Sequence, residues 1–406
     1  MDSATIANNT IAQKTDSATV VNYTIAQKAD SADQSAFPIN KYPYDTVPHN
    51  MYGDLLNDDP VYNPKAVWWK PAIRVLTSDI FNWAVARYVY KFDWARVSTS
   101  DWKNSFTKGP EWDSDGFGIN FIGHPHTGNF YFNTARSNGY SYWGSLPFAI
   151  EGSLIWEFFC ENTRPSYNDL INTPISGAFL GEIFYRLSSN VLDDRTRGGE
   201  RLLREVVAGI INPTRGLNRL VQGRMFRVVP KEIYQKEPLN ITLSGGIHKV
   251  NDNVNKNNIF GTGSTNGMLN LQLDYGNPFE NIRRKPFDLF RLRVELSYGT
   301  NRRLLDHVNG YGILAGKNSK PDRLLVGLFQ HYDYWRNNIF EVATLGFGGG
   351  LISRIPVAHH SNIIQVYTWL LCHWQETIPS LDPIHPSSGI IIMEEGFRRN
   401  WKKPLT

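Results

Sequence analysis

Two cysteines, Cys160 and Cys372, are all that the 406 residues contain, and they lie far apart in no metal-ligand spacing. A disulfide framework and a zinc ribbon are therefore excluded. Long apolar runs are missing too. The nearest approach, Leu146 to Cys160, carries Glu151 and Glu157 and falls short of the roughly 18 residues that a transmembrane helix needs. Any membrane span must then be built from strands, which can satisfy their backbone groups in lipid only by pairing. Nor is there a basic block. The net charge of +4 comes from 42 basic and 38 acidic residues spread along the chain, which argues against a nucleic-acid partner. Met1 is followed by Asp2 and polar residues rather than by a signal peptide, so either the start shown lies downstream of one or the protein stays inside the cell.

Aromatic residues, by contrast, are abundant: 13% of the chain, with 12 Trp and 19 Tyr, a composition suited to membrane interfaces or carbohydrate contacts. The chain opens on a polar repeat of period 14, DSATIANNTIAQK at Asp2 to Lys14 and DSATVVNYTIAQK at Asp16 to Lys28, with a third copy beginning at Asp30. These copies are too few to stack as a solenoid, so residues 1–66 read as a disordered tail. From Trp68 to about Met225 the apolar period is helical; Phe81, Val85, Tyr88, Val89 and Phe92, for example, share one face. Helices are expected from Ser145 with Pro147 to Cys160, from Thr173-Pro174 to Arg186, and from Gly199 to Ile211, with Ser166 and Asp169 at capping-box spacing. Residues 67–230 thus form a helical domain.

After Pro238 the period becomes two. In Leu269 to Tyr275 the odd positions are apolar, and in Arg291 to Tyr298 Leu292, Val294, Leu296 and Tyr298 alternate with Arg291, Arg293, Glu295 and Ser297. Comparable segments run at 241–247, 307–315, 324–334, 339–347 and 362–371, giving seven strands with room for eight or more. An apolar outer face and a charged inner one are what an outer-membrane barrel requires, with Tyr275, Tyr298, Tyr334 and Trp335 as an aromatic girdle. The expected class is α+β, a helical domain followed by an antiparallel β-barrel of outer-membrane type over residues 231–375. Residues 376–406, with Pro379, Pro383 and Pro386, read as an irregular tail. Such barrels usually end on an amphipathic strand with a terminal aromatic. Either this one closes earlier or the chain is truncated or altered at its end.

The most unusual residues lie between Gly123 and Glu182. They include an H-P-x-x-G-x-x-Y-x-N-x-A-R pattern carried by His124, Pro125, Gly128, Tyr131, Asn133 and Arg136, and the pair Trp156-Glu157. Pro165, Ser166 and Asp169 follow in a P-S-x-x-D-L run, and then the pair Gly181-Glu182. In these motifs, over about Gly123 to Gly223, the chain resembles the bacterial family designated domain of unknown function 3943. The resemblance implies a Gram-negative cell-envelope setting and no particular reaction.

Three of these residues, His124, Glu157 and Asp169, are of the types that carry acid-base chemistry and are the catalytic candidates if the protein is an enzyme acting on lipid or glycan. The spacing fits no zinc motif, because His124 and His126 flank a proline in what reads as an extended turn, and neither metal nor cofactor is expected. Ser153, Glu157 and Glu161 share a helical face, where Arg136, Arg164 or Arg186 would serve as structural partners. Gly177 and Gly181 have the spacing of close helix packing. The run Gly346 to Gly350 lacks the lysine of a phosphate loop and reads as a strand end or turn. The favoured reading is a non-enzymatic outer-membrane protein whose helical domain packs against or plugs a barrel, in envelope organisation or narrow transport. Its partner would be outer-membrane lipid, with protein partners undetermined. The alternatives are the envelope enzyme and a soluble α+β binding protein.

Overall fold

The structure is a computed structural model. It describes residues 64–112, 116–230, 232–251, 263–279, 284–299, 304–320, 323–336, 340–358, 361–379 and 392–399. The N-terminal repeat, Pro383, Pro386 and the chain end after Arg399 lie outside the described residues.

Local signals account for the helical boundaries. Helix α1 (Trp69–Ala84) runs into a π-helical turn at Val85–Tyr90, which Lys91 ends by adopting a positive φ. In α2 (Thr99–Lys108) the Asp101 carboxylate accepts the backbone N–H of Ser98, 2.8 Å away. A π turn at Ile119–Gly123 leads directly into α3 (His124–Arg136), where Pro125 occupies the first turn and so gives up an N–H that would have no helical partner. The His-Pro-His segment is therefore helical rather than an extended turn. Helix α4 (Tyr142–Ile155) is capped by Ser141 rather than Ser145 and ends in a third π turn at Trp156–Cys160. Thr173-Pro174 starts no helix: α5 (Tyr167–Val191) is continuous from its Ser166 cap and carries Pro174 inside it. Helices α6 (Gly198–Ile211) and α7 (Pro213–Val221) meet at Asn212, whose side chain accepts the N–H of Arg215.

Eight strands follow among the described residues: β1 (Leu239–Asn251), β2 (Gly263–Tyr275), β3 (Phe290–Gly299), β4 (Leu305–Lys320), β5 (Leu324–Arg336), β6 (Phe340–Ala358), β7 (Ser361–Pro379) and β8 (Ile392–Arg399). Each pairs antiparallel with its chain neighbour, so the order is β1 to β8. Among the described residues no ladder joins β8 to β1, and the sheet is open. The protein is thus α+β. Strand extends to Pro379 and returns at Ile392, within the segment expected to be irregular. Gly346 to Gly350 sit within β6, paired to β5 and β7, and not at a strand end.

Register separates the two sheet faces. Tyr275, Phe290 and Leu292 line up through Gly310 and Gly312 with Gln330, Tyr332 and Leu345 on one face. The helices cover the middle of this face: Phe179 of α5 stacks on Tyr332 with centroids 5.7 Å apart, Phe117 on Tyr334 at 5.2 Å, and Tyr142 donates to Gln330 at 2.8 Å. The face expected to meet lipid meets helix instead at Leu292, which is 6% exposed, while Tyr298 farther along the strand is 80% exposed. Tyr275 and Tyr334 are core residues, not members of a girdle; Tyr298 stays exposed on this face, and Trp335 points to the opposite one, its ring 4.0 Å from that of His307. The opposite face carries paired charges, Arg291 with Asp274 at 2.7 Å and His307 with Asp333 at 2.9 Å, beside a small core of Ile313, Leu325, Phe329 and Ile352.

Phe179 also meets Phe287 edge to face, and a side-chain atom at Gly310 would come within 2.9 Å of its ring. Phe179→Ala is expected to destabilise the protein by about 3–5 kcal/mol, the usual cost of emptying a buried Phe site. Chemical denaturation should show helix and sheet signals shifting together; an unchanged sheet transition would show that the two parts do not share this core.

Candidate functional site

The motif residues converge where α3 crosses α5. Backbone meets backbone there: a Cβ on Gly128 would overlap the carbonyl of Thr173, and one on Gly177 would overlap the backbone of Gly128. A Cβ on Gly181 would lie 2.7 Å from the Phe132 ring. Glycine is required for space, since its lack of a side chain is what allows such an approach. Beside this close approach, small polar side chains bond across the crossing. Asn133 donates to the carbonyl of Gly181 at 3.0 Å and to Asn129 Oδ1 at 2.8 Å, while its own Oδ1 accepts from Asn212 at 2.9 Å.

At the end of the crossing Arg136 donates to Glu182 through Nε and Nη2, at 2.7 and 3.0 Å, and Arg186 donates to the same carboxylate at 2.9 Å. Burial on its own drives the Glu182 carboxyl up, but the two guanidinium groups outweigh it and hold the carboxyl below its ordinary range. Arg186 continues to the carbonyl of Pro286 at 2.7 Å, which couples this pair to the segment before β3. Of the arginines proposed as partners for Glu157, then, two belong to Glu182, and Arg164 pairs with Glu111 at 2.5 Å.

The three catalytic candidates are strung along the start of α5. Glu157 accepts the backbone N–H of Ser166 at 2.9 Å, and the Ser166 hydroxyl accepts that of Asp169 at 3.2 Å. Asp169 Oδ1 lies 3.3 Å from His124 Nε2, and His124 Nδ1 lies 3.2 Å from the Thr173 hydroxyl. Hydroxyl, imidazole and carboxylate thus adjoin in the order of a nucleophile, base and orienting acid. The Thr173 hydroxyl belongs to a residue only 3% exposed, one turn after Asp169 on the same helix, beneath α3. Ser153 donates to the Asp169 carbonyl at 3.2 Å, and Trp156 donates to Glu161 at 2.7 Å, so the predicted hydroxyl-carboxylate face is divided among three separate tasks. His126 faces elsewhere, with its ring against Phe130 and its pKa lowered by burial. Among the described residues no three His, Cys, Asp or Glu side chains are grouped to hold a metal ion.

Two buried groups had no reading from the sequence. Asp79 of α1 accepts a hydrogen bond from the Tyr131 hydroxyl, and burial pushes its carboxyl up to about 7, against the effect of that bond and with a smaller push from Glu151. It is the single acid among the basic residues of α1, an isolated position that could have marked it. Arg219 donates to Glu205 at 2.8 Å and to Asp194 at 2.7 Å, and Arg201 lies 3.1 Å from Glu205. Only the spacing of Arg201 and Glu205 was available as a signal. The Cys160 thiol, raised to about 12 by burial and by nearby carboxylates led by Asp79, keeps its proton and is not a reactive nucleophile.

Residues 109–214, roughly a quarter of the chain, match the family model described as Domain of unknown function (DUF3943). The match spans the α3–α5 crossing and every motif residue named above. No curated protein and no solved structure matches the chain.

Gly128→Ala is expected to cost about 1–3 kcal/mol or more by forcing the helices apart, and Arg136→Ala about 3–5 kcal/mol by leaving buried Glu182 short of a partner. Both should appear as lowered denaturation midpoints; wild-type midpoints in both variants would remove the crossing as a stabilising unit. Asp79 predicts a pH dependence. A carboxyl raised in the folded state favours folding while protonated, so stability is fully present below its ordinary pKa of 3.8 and is lost as the pH rises to about 7. At roughly 1.4 kcal/mol per unit, Asp79→Asn should be a few kcal/mol more stable than wild type at pH 8 and lose that advantage near pH 4. Parallel stability-pH curves for the two proteins would refute the assignment.

Proposed function

We propose that this chain is a non-enzymatic cell-envelope protein, an outer-membrane strand array carrying a rigid helical domain on one face and serving envelope organisation or narrow transport. The observation that carries this reading is an inverted distribution of polarity. Asn133, Glu157, Asp169, Glu182, Arg215 and Arg219 are buried within the helical domain, while Trp68, Phe81, Leu203, Ile210 and Val221 are exposed on its outside. The sheet repeats the pattern: Ile241, Leu243, Ile247 and Tyr298 are exposed on the apolar face beyond the helices, and the charges of the other face are paired. An apolar exterior of this extent suits lipid as surroundings, and charges on the reverse face of the strands suit a lumen. No helix among the described residues is long and apolar enough to cross a membrane, which leaves the spanning role to strands.

Within this reading the DUF3943 motifs act as a clasp. Their side chains are engaged with one another or with backbone, which supports a structural role over turnover. The arrangement of Thr173, His124 and Asp169 favours the enzyme as a second reading, and the helices covering part of the apolar sheet face favour the soluble protein as a third.

Native protein should fractionate with outer membranes and stay folded and monodisperse only in detergent or lipid. Folded, monodisperse protein in plain buffer would return the chain to the soluble class. His124→Gln and Thr173→Val should each lower stability by about 1 kcal/mol, the scale of one hydrogen bond, with any envelope phenotype following that loss. A phenotype abolished at unchanged stability would favour the enzyme.

A further inference from the structure

Helix α1 is apolar on two sides. Pro71, Val75 and Asp79 turn inward, while Trp69, Ile73, Leu76, Ile80 and Phe81 stay exposed among the described residues. At helical spacing Trp69, Ile73, Leu76 and Ile80 fall within about 60° of one another as one stripe, and Phe81 stands about 80° further round, between Lys70 and Arg74. The π turn prolongs the apolar surface with Tyr88, Val89 and Tyr90, all exposed. From there aromatic rings run on in contact: Tyr90 stacks on Phe92 at 5.4 Å, Phe92 on Trp94 at 5.5 Å, and Trp94 meets Trp156 at 5.9 Å.

Charge indicates what covers it. Between Pro64 and Phe92 the charged residues are Lys65, Lys70, Arg74, Arg87 and Lys91, together with Asp79, which is fully buried. The outward surface of this element is therefore apolar and cationic as far as Phe92, and the exposed Asp93 that follows is paired with Arg96 at 3.3 Å. Lys70 lies on the flank of the stripe and Lys91 closes its far end, where long side chains can reach headgroups while the rings sink below them, whereas Arg74 is held by Asn218 at 2.5 Å. At 16 residues the helix is too short for a span.

We propose that α1 and its π-helical extension lie flat in the headgroup region of an anionic lipid leaflet, with the Trp69–Ile80 stripe, Phe81 and the Tyr88–Tyr90 rings at the acyl boundary and Lys70 and Lys91 on lipid phosphate. The proposal rests on the membrane setting of the preceding reading but not on strand insertion, and the two can fail separately.

The full chain, in a Cys372→Ser background with buried Cys160 left in place, is labelled with an environment-sensitive fluorophore at Val89→Cys. It is then mixed with vesicles of phosphatidylcholine alone or with about a third phosphatidylglycerol, a fraction that gives a strongly anionic surface. The expected result is a blue-shifted label, quenched by spin-labelled lipid, on the anionic vesicles. K70E/K91E should weaken this response roughly tenfold or more, and salt should weaken it for wild type, as the loss of two juxtamembrane lysines implies. Phe81→Ser should weaken it in both salts. Sedimentation with both kinds of vesicle while the label stays in water would overturn this inference and leave strand insertion standing. Sedimentation with anionic vesicles only, abolished by K70E/K91E, would support the inference and count against strand insertion. A label already buried without lipid, in proportion to protein concentration, would identify a second copy of the chain as the occupant and overturn the proposal.

Discussion

The close approach of α3 to α5 at Gly128 and Gly177 is the constraint from which the rest of the helical domain follows. Two helices in backbone contact exclude bulky apolar side chains from the space between them, so that space is filled by Asn129, Asn133, Ser176 and Thr173. Each buried polar group then needs a partner, because a donor or acceptor left unsatisfied costs more than a made bond contributes. The partners come from the next shell: Asn212 at the α6–α7 junction, the Gly181 carbonyl, and Arg136 and Arg186 on Glu182. A steric fact about two glycines thus propagates into a polar interior.

That interior displaces apolar side chains outward. Some find cover on the sheet, where Phe117, Tyr142 and Phe179 close over Tyr332, Tyr334 and Phe287. Others, on α1, α6 and α7, stay exposed among the described residues. Of the π turns, one follows α1, one leads into α3 and one ends α4. Such turns change the phase of a helix and re-aim its side chains, which is how Glu157 comes to serve Ser166 instead of continuing the face begun by Ser153.

The charges of the domain are matched to its burial. Glu182 is held ionised by two arginines, whereas Asp79, with only the Tyr131 hydroxyl bonded to it, has a raised pKa. Cationic residues outside α1 and a protonatable acid inside it leave that helix with a one-signed outer surface. The same sorting explains why the residues with the most reactive chemistry, His124, Asp169 and Thr173, occupy a packed place.

By itself the sequence determined the class of each half and its punctuation. The period of 3.6 before Pro238 and of two after it, with the Ser166 cap, are local properties set by backbone geometry, and the spacing of Gly177 and Gly181 pointed to close helix packing. Pro174 lies inside α5, where the sequence alone suggests a helix start, while Pro125 sits in the first turn of α3, where its missing N–H leaves no helical partner unsatisfied. Partnership and environment were decided only in three dimensions. Arg136 and Glu182 stand 46 positions apart, a separation at which sequence carries no distance information. Alternation in β3 established that Leu292 and Tyr298 share a face, yet one is covered by helix and the other is open. A periodic pattern records which side chains point the same way; what lies opposite them depends on the rest of the chain having folded there.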